Sequence, residues 1–227
     1  MICSATLGRS IRSVRRTIWS SVFYRRTRRI VADLTRPVRR IELGLVFRQD
    51  LTGPIEMFDA DVNIDIAQAS LDDLERAASL NPLGSRRRSK IFRWRVHNGC
   101  VCFVARAGTT LVAYNWVRLQ PGVDDGDMIA LADGQAFHLD SYVDENWRGR
   151  RIEAALSSRM RLFEKQHGCV ATYTKISAFN SKSLRSARRM GWKPTGLVLR
   201  VRGSKSGGWP IVTLWGSMHP LVRLRSK

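Results

Sequence analysis

The chain has 227 residues, 44% of them hydrophobic, and carries a formal charge of +20 at pH 7. That length can bury one large core without staples, and no stretch approaches the roughly eighteen uninterrupted apolar residues of a membrane-spanning helix. Its four cysteines, Cys3, Cys100, Cys102 and Cys169, show neither CxxC spacing nor a histidine cluster, which argues against a metal site and for a reduced, cytoplasmic protein.

The charge is uneven. Residues 1–40 hold eleven arginines against one acid, Asp33, so half of the excess lies in under a fifth of the chain. Within that arm, Ile11, Val14, Ile18 and Val22 fall at helical spacing, with Trp19 beside them and arginines over much of the rest. The pattern predicts a basic amphipathic helix, of the kind that lies on an anionic membrane surface or packs on its own domain. Thr35-Arg36-Pro37 ends it, because proline disfavours helix in the residue before it. The first thirty residues lack the apolar block of a secretory signal; in a eukaryote their Arg- and Ser-rich make-up matches a mitochondrial transit peptide. The expected organisation is an arm over 1–40 and a domain over 41–227.

From there helices and strands alternate. "IELGLVF" and "VNIDIAQA" read as strands, and "SLDDLERAASL" as a helix N-capped by Ser70 with acids in its first turn. "SRRRSKIFRWRVHNG" is a short helix closed at Asn98-Gly99. Cys100–Arg106 and Thr110–Gln120 form a hairpin about an Ala107-Gly108 turn, with Cys100 and Cys102 as small buried hydrophobes on one face. After the loop "PGVDDGD" come the strand "QAFHLDSYV" and a helix running to about Gln166, buried through Ile152, Ala155, Leu156, Met160 and Phe163. "CVATYTKIS" is a strand, "NSKSLRSARRMG" a helix, and "GLVLRVRG" and "WPIVTLWGSM" are closing strands. The result is a mixed α/β fold with a β–α–β unit at its centre.

The segment "ENWRGRRIEAAL" joins strand to helix through a glycine-containing turn, the arrangement that aims backbone N–H groups and a helix dipole at a phosphate. Together with "FNSKSLRSARRMGWKPTG" further on, it resembles the GNAT superfamily of acyl-CoA-dependent N-acyltransferases over roughly residues 60–218. That family carries a turn [Q/R]-x-x-G-x-[G/A] and, later, an Asn that opens a helix closed by Gly and an aromatic residue. Here Arg148 stands in the Q/R place, and Asn180, Ser183, Gly191 and Trp192 match the second motif. The resemblance implies a mainly antiparallel central sheet with flanking helices, behind the basic helical arm, and acetyl-CoA or another acyl-CoA as co-substrate without a metal. Its cofactor-binding residues would be Val143, Arg148, Gly149, Arg150, Arg151, Ile152, Glu153, Asn180 and Ser183. The backbone N–H near Val143 would hold the pantetheine and polarise the acyl carbonyl.

Two departures stand out. Arg151 and Glu153 occupy the two small positions of the turn, where their side chains obstruct phosphate unless they point outward; Arg150 and Arg151 could instead pair with it directly. Ala187 stands where many members have the tyrosine that protonates the departing thiolate, which leaves that role to Ser183 or water, or lowers turnover.

Amide formation also needs a base, since only a neutral amine attacks. By strand alternation His138, Asp140 and Tyr142 share one face, opposite Phe137, Leu139, Ser141 and Val143. If the apolar set faces the core, the polar set faces the acyl cleft, with His138 and Asp140 about 7 Å apart. Asp140 is the leading base, and a surface ion pair is its competing role.

The resemblance also sets Arg86, Arg87, Arg88, Lys90, Arg93 and Arg95 at the lip of the acceptor site, favouring an anionic small-molecule amine such as an amino sugar nucleotide or glycan precursor. The competing function is a GNAT-fold binding protein of weak or no turnover, acting on nucleic acid or an anionic membrane. Basic, aromatic-bearing "RRRSKIFRWRV" could contact nucleic acid, but no recognised nucleic-acid motif accompanies it. Oligomeric state is not legible.

Basic residues near an anionic leaflet contribute about 1 kcal/mol each. The full chain is therefore expected to sediment with anionic vesicles at low salt, release at high salt, and lose both behaviours without residues 1–40. Equal sedimentation with neutral vesicles would contradict the electrostatic reading. Aggregation of the truncated chain would show the arm packing on its own domain.

Overall fold

The structure, a computed structural model, describes residues 38–81, 85–121, 131–203 and 211–216, with side chains over 42–81, 87–121 and 131–199. The arm helix expected over Ile11 to Val22 lies outside these residues. The chain divides into two compact units, 1–41 with 201–210 and 42–200 with 211–227. The candidate site lies in the second.

The elements are β1 (Val38–Asp50), β2 (Asp65–Gln68), α1 (Leu71–Leu80), α2 (Ser85–His97), β3 (Val101–Ala107), β4 (Thr110–Arg118), β5 (Gln135–Val143), α3 (Ile152–Gln166), β6 (Ala171–Ser177), α4 (Ser181–Arg189), β7 (Lys193–Gly203) and β8 (Ile211–Gly216). Ser70 caps α1 as expected, in a reciprocal box with Asp73. The β3–β4 hairpin pairs Ala107 with Thr110, so its two-residue turn is Gly108-Thr109, one residue later than expected; Gly108 supplies the positive φ of 57°.

Among the described residues the sheet has eight strands in the order β2-β3-β4-β5-β6-β1-β7-β8. Its paired neighbours are antiparallel from β2 through β5, in β6–β1 and in β7–β8, whereas β5 and β6 run parallel. Helix α3 covers one face, burying Ile152, Leu156 and Met160 against Phe103, Ala113, Val117 and Ala136. Phe163 is only partly buried, edge-on to Phe103. Helices α1 and α2 cover the other face, where Ala77, Ala78 and Phe92 meet Cys100, Cys102, Val104, Tyr114 and Trp116. No described helix is long and apolar enough to cross a membrane.

Two irregularities in β5 shape everything beyond it. Pairing with β6 begins at Gln135↔Ala171 and stops at His138↔Thr174, so the two strands part there. On its other edge β5 pairs Ser141 with Asn115 but His138 with Val117. Leu139 and Asp140 therefore both oppose Trp116, a β-bulge that inserts one residue and breaks the period-two alternation.

Candidate active site

The bulge corrects the expected grouping of His138, Asp140 and Tyr142 on one face. His138 lies before it and turns toward α3, where its Nε2 meets Glu164 Oε1 at 2.5 Å. Asp140 lies within it and meets Arg95 Nη1 of α2 at 3.2 Å. Tyr142 lies after it and stacks on Tyr114, again on the α1–α2 side. Ser141 and Val143, expected opposite, share the α3 face with His138, through Glu153 and the core respectively. One inserted residue thus divides the three expected polar side chains between two layers.

A chamber of about 240 Å³ opens where β5 and β6 part. His138, Asp140, Ser141, Asn115, Glu153, Ser157, Lys175, Asn180, Ser183 and Trp192 are among its lining. His138 is 6% exposed and its ring lies edge-on to Trp192 at 5.3 Å. Glu164 behind it is fully buried, and its Oε2 has no hydrogen-bond partner. With Nε2 engaged by a carboxylate, Nδ1 is the ring nitrogen left to accept a proton. Asn115 is 4% exposed, and its Oδ1 is likewise a buried acceptor without a partner, on the wall of this chamber. A buried orphan acceptor is costly unless something donates to it.

A larger groove of about 780 Å³ lies at the N-terminal end of α3. Its lining includes Tyr142, Val143, Arg148, Gly149, Arg151, Ile152, Glu153, Asn180 and Ser183, and the α4 residues Lys182, Arg185 and Arg189. The three α4 cations are spaced three and four residues apart, which sets them on one helix face. Spacing alone could have revealed that stripe. Of the expected cofactor residues only Arg150 is not in this lining; its guanidinium sits 4.8 Å over the Trp147 ring. Arg148 donates through Nε to the Val143 carbonyl at 3.1 Å and pairs with Glu145, so it braces the turn. The Asp144 N–H goes to Val112 of β4; strand alternation then directs the Val143 N–H to the opposite edge, where β6 no longer pairs.

The turn itself explains its sequence. Gly149 has φ 81° and Arg151, the residue before α3, has φ 57°, both in the left-handed region. That conformation accounts for a small residue at the position Arg151 fills. The Arg151 side chain points out, half-exposed and 3.7 Å from Asp61, so it leaves the backbone open. Glu153 does the reverse. Its carboxylate turns inward, accepting hydrogen bonds from Ser141 Oγ at 3.5 Å and Ser186 Oγ at 3.3 Å. Burial holds its pKa above the usual carboxylate range, against the two serine bonds and His138, which lower it.

The lip predicted from α2 is different. Arg95 is buried, tying α2 to β5 over the Trp116 ring, and Arg88 donates to the Tyr114 hydroxyl. None of Arg87, Arg88, Lys90, Arg93 and Arg95 lines the chamber or the groove, and the Arg86 side chain lies outside those described.

A left-handed residue with a Cβ costs on the order of 1 kcal/mol. Arg151→Gly is therefore expected to raise the urea midpoint, while Arg151→Ala, which keeps the strained Cβ, does not. Equal midpoints for the two variants would contradict the strain.

No protein-family model matches the chain, and no curated protein does. Solved structures do. A GNAT-family protein from Novosphingobium aromaticivorans matches with a TM-score of 0.54 at 19% identity, over 72% of this chain and 65% of its own. A GCN5-related N-acetyltransferase from Sphaerobacter thermophilus matches at 0.55 and 16% identity, over 80% of this chain and 57% of its own. A GNAT-family acetyltransferase from Colwellia psychrerythraea matches at 0.53 and 11% identity, over 74% and 59%. The chain thus spans less than two thirds of each of these proteins. These likenesses in backbone show the fold: the chain has the GNAT fold.

Proposed function

We propose that this chain transfers an acyl group, most simply acetyl, from acyl-CoA to a primary amine. The observation that carries the reading is the meeting of the two cavities. A groove bordered by Arg148, Arg151, Lys182, Arg185 and Arg189 joins a polar chamber through shared walls at Ser141, Glu153, Asn180, Ser183 and Met190. Five cations at a helix N-terminus suit a pyrophosphate, and the chamber suits a small polar acceptor.

The residues divide the work by position. Lys182, Arg185 and Arg189 neutralise the phosphates; Arg151, turned out toward Asp61, leaves the turn's backbone open to them; Arg148 braces the turn from beside Tyr142; and Arg150 remains outside, on Trp147. The Val143 N–H, at the edge β6 has left, donates to the acyl-CoA chain or its carbonyl oxygen. In the chamber His138 takes the proton from the ammonium through Nδ1, and Glu164 is the positioning residue that holds the ring in that tautomer. Asp140, committed to Arg95, is the second candidate rather than the first. Ser183 borders both cavities and orders the amine.

The chamber wall presents the unpartnered acceptor Asn115 Oδ1 together with the Asp140 carboxylate and the hydroxyls of Ser141 and Ser157, acceptors that suit an amine entering as an ammonium. The anionic acceptor expected from α2 has no counterpart in that lining. On this reading the chain works in the cytoplasm, with residues 1–40 as its contact to the inner membrane face.

General-base catalysis is worth about 10²–10⁴-fold. His138→Gln is expected to lower turnover by about a hundredfold or more while acetyl-CoA affinity stays unchanged, and Asp140→Asn to lower it far less. The opposite order would move the base to Asp140. Each charge-assisted phosphate contact is worth about 1.5–3 kcal/mol, so Arg185→Ala with Arg189→Ala should weaken acetyl-CoA binding by tenfold or more in calorimetry. An absence of heat with the unaltered chain would overturn acyl transfer and favour a binding protein without turnover.

A further inference from the structure

Acyl transfer needs two proton movements, and the chain lacks the tyrosine that its fold relatives' motif places at Ala187. One carboxyl, that of Glu153, stands where the two cavities meet. Glu153 is on the first turn of α3, and its side chain is one of the few that border both the groove and the chamber. One carboxylate oxygen accepts from Ser141, just past the bulge of β5; the other accepts from Ser186, the residue before Ala187 on α4. The group is thus held from two sides at the junction, where a thioester reaching from the groove into the chamber must pass. Ala187, 2% exposed and packed with Phe47, Met190 and Trp192, also borders the chamber and carries no proton to give.

We propose that Glu153 is the proton donor to the departing thiolate. The proposal rests on the acyl-transfer reading. The neutral amine attacks the thioester carbonyl, and a C–N bond forms. The C–S bond then breaks, its electron pair goes to sulfur, and the Glu153 carboxyl proton follows. The nitrogen, now carrying a surplus proton, returns one to the Glu153 carboxylate, so the carboxyl is restored. The proton first taken from the ammonium by His138 is the one released to solvent.

Burial favours the protonated carboxyl that the role requires. It also removes the conflict between a carboxylate and a phosphate at one helix N-terminus, since a neutral carboxyl does not repel the anion. A tool for tuning is present as well: the Ser186 bond favours the ionised form.

The test begins with CoA itself, whose thiolate absorbs in the ultraviolet. With CoA bound, its thiol should titrate at a pH higher by about one unit or more in the unaltered chain than in Glu153→Gln, because an ionised neighbour opposes thiolate formation. Identical titrations would place Glu153 away from the sulfur and overturn the proposal. If CoA binds neither protein, the acyl-CoA reading fails first, and this proposal falls with it. The kinetic arm uses ethanolamine as amine and compares acetyl-CoA with p-nitrophenyl acetate, whose leaving group needs no proton. Glu153→Gln should lose about a hundredfold or more with the thioester and little with the aryl ester. A donor must be protonated, so the rate falls as pH rises through its pKa. That alkaline limb should vanish in Glu153→Gln and move to higher pH in Ser186→Ala. Equal losses with both donors, or an unmoved limb, would make Glu153 a structural residue.

Discussion

The separation of β5 from β6 is the constraint on which the rest of this molecule depends. Four residue pairs of parallel ladder hold the strands together, and after His138↔Thr174 nothing does. Backbone groups at a buried edge need partners, so a sheet that opens internally must present that edge to something other than a strand. The bulge at Leu139-Asp140 comes at the same point and bends β5 further. Chamber, groove and junction all follow from this opening, with α3 on one side, α4 closing the end and Trp192 beneath His138.

The polar groups around the opening are expensive to bury, and each is tied in a different way. Glu164 is fully enclosed with His138 as its partner, Asp140 is joined to Arg95, and Glu153 is held by two serines. A buried ionic pair is weak evidence for stability, because desolvation offsets most of the attraction. The pairs here define orientation instead: the His138–Glu164 contact engages Nε2 of the imidazole, and Arg95 engages the Asp140 carboxylate. Asn115 Oδ1 remains unsatisfied on the same wall.

The fold was legible because local signals agreed. The strand 135–143 was bounded correctly by its alternation, α1 by its Ser70 cap and first-turn acids, and α4 by Asn180 and Gly191. Within the site the same alternation misled. A bulge has no sequence signature in "QAFHLDSYV", so His138, Asp140 and Tyr142 were grouped where the structure separates them. Glu164 sat inside an amphipathic pattern as one more polar position, and only tertiary packing reveals that it is buried against His138. Arg95 looked like part of a solvated basic face because charge alone does not say which arginine finds a carboxylate. Glu153 was visible as a departure from a motif, but whether it turned out or in depended on Ser141 and Ser186, which lie far from it in sequence.

The central claim is that the groove and the chamber are two halves of one reaction site joined at Glu153. The most direct measurement is the position of the sulfur in a crystal structure with CoA bound. The account predicts the pyrophosphate against the turn at Gly149–Arg151 and the sulfur at the junction, beside the Glu153 carboxyl, with the chamber open beyond it. A pyrophosphate seated elsewhere, or a sulfur pointing away from the parted edge of β5, would contradict it.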